Sequence, residues 1–175
     1  YNQPLTTLRS KAAAHHITLT TETPMASIEP SQRTQPSTAM LKDIPHCVAR
    51  ALQEDIGSGD ITAQLIPEQQ QASAVVICRD HAVICGRPWV DEVFRQLDSS
   101  TQIEWHIDEG DSVSSNQTLL TLRGNARVLL TGERAALNFL QTLSATATTA
   151  RQYVEACLNS PIKILDTRKT LPGLR

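Results

Sequence analysis

Apolar side chains recur with recognisable periods from about residue 43 onward, and each period predicts an element. Asp43 and an early Pro45 introduce Ile44, Val48, Leu52 and Ile56 at helical spacing, which predicts a short amphipathic helix. It stops at Gly57-Ser58-Gly59-Asp60, read as a turn because a dinucleotide phosphate loop would need a strand before it. Val75-Val76-Ile77-Cys78 and Ala82-Val83-Ile84-Cys85 read as two short strands split by Arg79-Asp80-His81. Pro88 then opens a helix carrying Val90, Val93, Phe94 and Leu97 on one face. Alternation returns at Ile103, Trp105 and Ile107, and the turn Asp108-Glu109-Gly110-Asp111 leads to Val113 and a strand over Thr118–Leu122.

The period is helical from Asn125 to about Leu158, but Thr and Ala residues between Ser144 and Thr149 weaken it, which predicts two helices meeting there. At about 100° per residue, Val128, Leu129, Ala136, Leu137, Phe139, Leu140 and Leu143 cover a broad apolar arc. The opposite strip holds Arg127, Arg134, Asn138 and Gln141. Pro161–Leu165 reads as a short apolar strand ending in a cluster of charge. The expectation is a small mixed sheet with helices against it, followed by the start of a second unit.

Residues 1–40 differ in kind. They are rich in Thr, Ser, Gln and Pro, lack a sustained period, and offer too little apolar surface to offset chain entropy. Scattered Thr and Ser with Arg9, Arg33 and few acids fit an organelle transit peptide in composition, but no basic amphipathic helix accompanies them. A disordered or non-native extension, with Met25 or Met40 as internal starts, is the expected account. The chain opens at Tyr1 and closes on Leu174-Arg175 in a charged loop, and is read as a piece of a longer polypeptide.

With 40% hydrophobic and 19% charged residues, the chain has the balance of a soluble globular protein. No apolar run is long enough to span a membrane, and 16 basic against 18 acidic residues give no footprint for nucleic acid. At 175 residues it is too short for a complete (β/α)8 barrel, which needs roughly 250. Cys47, Cys78, Cys85 and Cys157 show no C-x-x-C and no zinc-ligand spacing to the histidines. Cys78, Cys85 and Cys157 sit among apolar neighbours, so buried free thiols in a cytoplasmic, reducing compartment are expected.

Polar residues at the carboxyl end of a buried strand are where α/β folds place ligand sites, and Asp166, Thr167, Arg168 and Lys169 occupy such a position. Arg168, Lys169 and Arg175 within eight residues suit an anion, a carboxylate or phosphate held in bidentate geometry. A surface ion-pair cluster around Asp166 fits the same residues. Arg134 poses a similar choice between solvated surface with local pairing and a strip presented to a neighbouring subunit or cleft. His46, His81 and His106 are isolated, and no nucleophilic triad is present. The stretch IDEGDSVSSNQTLLTLRG has the Gly-Asp-x-Val pattern of lipoyl and biotinyl carrier hairpins. Such a carrier needs a lysine on its turn, and none lies between Lys42 and Lys163.

Taken together, GDITAQLIPE, ICGRPWVDEVF, DEGDSV, RVLLTGERAALNFLQTLS and the closing ILDTRKTLPGLR resemble the quinolinate phosphoribosyltransferase family over about residues 43–175. The resemblance implies an α/β (α+β) fold: an amino-terminal α/β sandwich with its connecting helix over residues 41–145, and the first strand of a truncated α/β barrel over 146–175. It implies transfer of the phosphoribosyl group of phosphoribosyl pyrophosphate to quinolinate, with Mg²⁺, giving nicotinate mononucleotide, pyrophosphate and carbon dioxide in NAD biosynthesis. By the same resemblance Arg134, Thr167, Arg168 and Lys169 bind substrate, with Lys169 the candidate for a catalytic part. It further implies a homodimer in which Arg134 serves the partner's site. The metal ligands are expected beyond Arg175, so the piece alone is expected to be inactive. A same-fold phosphoribosyltransferase for another pyridine or anionic substrate, and a noncatalytic carrier module, are the alternatives.

Overall fold

The computed structural model describes residues 37–57, 59–165, 167 and 169. Helix α1 runs over Thr38–Ile56, and its face Ile44, Val48 and Leu52 is buried as the helical period requires. It begins at Thr38, not at Asp43, because Ser37 caps it by accepting the Met40 N–H at 3.2 Å. Pro45 therefore sits inside the helix and leaves the Leu41 carbonyl without its usual donor. The expected turn follows, with Gly57 and Gly59 both at positive φ. Beyond it lies an unforeseen short helix, α2 (Ile61–Gln64), capped by Asp60, whose Oδ1 accepts the Ala63 N–H at 3.1 Å.

Strands β1 (Gln71–Ile77), β3 (Gln102–Trp105) and β5 (Thr118–Asn125) form one antiparallel sheet in the order β1-β5-β3. Central β5 pairs Leu122 with Ala74 on one side and with Ile103 on the other. A small second ribbon pairs β2 (Ala82–Val83) with β4 (Ser112–Val113). The second strand is thus two residues long instead of Ala82–Cys85, and Cys78 lies just past β1. Ile84 instead closes the Asp108–Asp111 turn, donating to the Asp111 carbonyl and accepting from Gly110.

Helix α3 (Arg87–Leu97) starts at Gly86, whose φ of 114° turns the chain into it, with Pro88 in the first turn. Helix α4 (Ala126–Ala156) follows β5 directly, with Asn125 as its cap. It lies against β1, β2 and β5 and against α1 and α3, so the helices cover the sheet and close a core around Phe94, Leu119, Leu120 and Leu140. Gly132 lets α3 and α4 approach, since a methyl there would stand 2.7 Å from Phe94 Cε1.

Two sequence expectations fail around α4. It is one helix of 31 residues where two were expected. Its Ser and Thr hydroxyls explain this: Ser144 Oγ accepts from Cys85 N at 3.0 Å, and Thr148 Oγ1 accepts from Val83 N at 2.9 Å. The residues that weaken the apolar period serve the backbone beside β2 without breaking the helix. The second failure is Pro161–Leu165, which forms no strand; a strand needs a neighbour for its ladder, and among the described residues none lies beside it. Ile162, Ile164 and Leu165 are exposed there. Of the cysteines, all free, Cys78 is buried, whereas Cys47, Cys85 and Cys157 are half-buried, because the helix and loop edges that carry them are only partly covered.

Candidate functional site

Helix α4 holds the polar strip anticipated from its wheel, and the structure divides that strip by role. Arg127, near its first turn, spends its Nε on the Ile66 carbonyl at 2.7 Å and ties α4 to the segment after α2. Arg134, two turns later, is 65% exposed along its side chain and pairs through Nε with Asp55 Oδ1 at 2.9 Å. Its partner belongs to α1, so the pairing is not the local helical one that the sequence suggested. Asp55 follows Val48 and Leu52 at i+7 and i+3, which places it on the packed side of α1.

The same corner contains Asp60. Its Oδ2 accepts from Thr131 Oγ1 at 3.1 Å while its Oδ1 caps α2. The Ala63 N–H above all holds the Asp60 carboxyl below the usual range, with Thr131 and the charge of Arg134 acting in the same direction. The Gly57–Asp60 turn therefore joins α1, α2 and α4 beside one exposed guanidinium. An exposed planar guanidinium of this kind suits a carboxylate or phosphate.

Of the second predicted cluster only Thr167 and Lys169 are described. Thr167 and Lys169 are exposed in irregular chain, and no hydrogen bond or ion pair joins either to Arg134. Arg168 and Asp166 lie outside the described residues, as does Arg175. The turns at Val154–Ser160 end α4, with Ser160 N donating to Cys157 O at 3.0 Å.

Glu109 is a structural residue that the sequence reading passed over. Its two carboxylate oxygens accept the Gly86 and Arg87 N–H groups at 2.8 and 3.0 Å, and so cap α3 from a distant turn. Arg87 answers by donating to the Ile107 carbonyl at 2.6 Å and to Asp108 at 2.7 Å, with its guanidinium 5.0 Å from the Trp105 ring centre. Burial, with Glu109 next to it, pushes the Cys85 thiol up to about 12. The hairpin that resembled a carrier turn is therefore a brace for α3. A separate cavity of about 260 Å³, floored by Cys78, Ile84 and Leu140 and rimmed by His81, Gln141 and Gln152, lies further along α4. Among the described residues no three His, Cys, Asp or Glu side chains converge to hold a metal ion, so no step is assigned here to Mg²⁺. No helix among them is long and apolar enough to cross a membrane.

Comparison with known proteins gives a consistent result. The profile of the family described as quinolinate phosphoribosyl transferase, N-terminal domain, matches residues 60–144. A Synechocystis protein named "Probable nicotinate-nucleotide pyrophosphorylase (carboxylating)" is 42% identical over 124 residues, 71% of this chain and 42% of that protein. A Nicotiana tabacum protein, quinolinate phosphoribosyltransferase (decarboxylating) 2b, mitochondrial, is 34% identical over 76% of this chain and 38% of its own length. Among solved structures, the nicotinate-nucleotide pyrophosphorylase of Francisella tularensis superposes with a TM-score of 0.73 at 39% identity, covering 80% of this chain and 49% of that one. The chain thus spans less than half the length of these relatives.

Proposed function

Since the chain belongs, through residues 60–144, to the quinolinate phosphoribosyltransferase family, we propose that it is the amino-terminal part of an enzyme forming nicotinate mononucleotide from quinolinate and phosphoribosyl pyrophosphate. In that reaction the pyridine nitrogen bonds to the anomeric carbon, pyrophosphate leaves with the bonding pair, and the 2-carboxylate departs as carbon dioxide with a proton taking its place. Mg²⁺ accompanies the phosphoribosyl substrate and relieves its negative charge. Arg134 and Arg168 grip the carboxylates of quinolinate, Lys169 sets a compact positive charge beside the carboxylate or the phosphoribosyl group, and Thr167 supplies a hydroxyl or backbone contact. Residues 146–175 begin the barrel, which continues in the full-length protein. The enzyme is cytoplasmic and a homodimer.

The observation that carries this reading is Arg134: an exposed arginine on the domain matched by the family, held by an ion pair between its Nε and Asp55. In the homodimer Arg134 serves the partner's site, beside Thr167, Arg168 and Lys169 of that subunit.

The test is an assay of the full-length protein with quinolinate, phosphoribosyl pyrophosphate and Mg²⁺. Nicotinate mononucleotide and carbon dioxide should form in equal amounts, and Arg168→Ala should weaken quinolinate binding by about 1.5–3 kcal/mol, the scale of a hydrogen bond to a charged group. Turnover of a different pyridine acid with none of quinolinate would move the protein to another substrate. Unchanged quinolinate affinity in the variant would remove Arg168 from the site.

A further inference from the structure

Asp55 is placed by the fold where no stability argument needs it. An exposed arginine paired with a carboxylate at a protein surface contributes little, and a buried carboxylate oxygen without a donor costs free energy. Asp55 combines both features. Its Oδ1 meets Arg134 Nε at 2.9 Å, its side chain is only 23% exposed, and its Oδ2 is buried with no hydrogen-bond partner. A pair built for stability would close both oxygens on Nε and Nη, the bidentate arrangement that arginine favours. Here one oxygen lies against Nε and the Arg134 side chain remains 65% exposed.

We infer that Asp55 is a positioning residue: its ion pair with Nε holds the exposed Arg134 in place to take a carboxylate of the substrate. The inference rests on the reading of Arg134 as a quinolinate ligand. Three elements fix the tether. The buried face of α1 sets the Asp55 carboxylate against α4, the Gly57–Asp60 turn closes the corner, and Asp60 with Thr131 ties that turn to the helical turn preceding Arg134. An arginine side chain free in solvent samples many rotamers and loses that freedom on binding. A tethered one has already lost part of it, so the benefit appears in substrate binding and not in folding.

A simple counter-charge makes the opposite prediction, because removing it would leave the site more positive and tighten the binding of a dianion. The sign of one change therefore decides. In the full-length protein, Asp55→Asn should raise KM for quinolinate by about tenfold, inside the hundredfold that a misplaced positioning group can cost. The KM for phosphoribosyl pyrophosphate, kcat and the melting temperature should stay nearly unchanged, and Asp55→Glu should recover part of the loss. A lowered or unchanged KM in Asp55→Asn, while Arg134→Ala raises it, would overturn the tether and leave Arg134 as a ligand. An unchanged KM in Arg134→Ala would overturn the role of Arg134, and the inference with it.

Discussion

The two halves of α4 make an instructive pair. Up to Ser144 the helix buries Leu129, Ala135, Ala136 and Leu140 against the sheet and α3, whereas beyond Ser144 none of its residues is buried. Tyr153 and Val154 stand 62% and 44% exposed on a helix whose backbone continues without a break to Ala156, and Leu158 in the turn beyond it is 65% exposed. The match to the amino-terminal domain family also stops at residue 144. One continuous helix thus buries side chains only as far as Ser144, although Thr148 beyond that point still accepts from Val83 N of β2.

Substitutions on either side should expose that contrast. The largest effect belongs to Phe94, which is 1% exposed and packs where α3 meets the buried half of α4. Phe94→Ala should cost about 3–5 kcal/mol in urea unfolding, the range for truncating a buried aromatic side chain. Gly132→Ala comes next. The added methyl would stand 2.7 Å from Phe94 Cε1 and 2.9 Å from Leu97 Cδ1, and this overpacking should cost about 1–3 kcal/mol in the same measurement. If Gly132→Ala is neutral, the two helices are less tightly apposed than this account requires.

Acid should act on the buried half with a smaller effect. Glu92 on α3 is 9% exposed, and Arg95 beside it holds the Glu92 carboxyl below its usual value of 4.5, with Gln96 helping. A carboxyl depressed in the folded state gives stability that is present above its unfolded value and is lost as pH falls through the folded one. Thermal melts from pH 5 to pH 2 should therefore fall less steeply for Glu92→Gln than for the parent. The smallest effect is expected beyond Ser144, where Tyr153→Ser and Leu158→Ser should each change the stability of the 175-residue chain by no more than about 0.5 kcal/mol. A large loss in either would show that the exposed half is packed after all.

How far the sequence discloses this structure depends on the range of the interactions involved. Periodicity located α3, β3, β5 and the start of α4, because each buries a face that repeats locally. It failed at Ser144 and Thr148, whose hydroxyls serve backbone groups of Cys85 and Val83 some 60 residues away. It failed again at Pro161–Leu165, where an apolar run has no neighbouring strand to pair with among the described residues. The site follows the same rule. Arg134 is proposed as a ligand from its motif, whereas Asp55 carries no motif of its own, and its pairing with Arg134 emerges only when α1 is packed against α4. Glu109 was hidden likewise, since its carboxylate caps α3 from 22 residues away.

The central claim is that Arg134 serves the site of the partner subunit, and one experiment addresses it directly. Full-length Arg134→Ala and full-length Arg168→Ala, assayed at quinolinate too dilute to fill either altered site, are mixed under conditions in which mass spectrometry shows the chains to exchange. A random mixture makes about half its dimers heterodimers with one of two sites intact, so activity should return to roughly a quarter of the parent level. Absence of recovery despite exchange would place both arginines in the site of a single subunit and contradict the account.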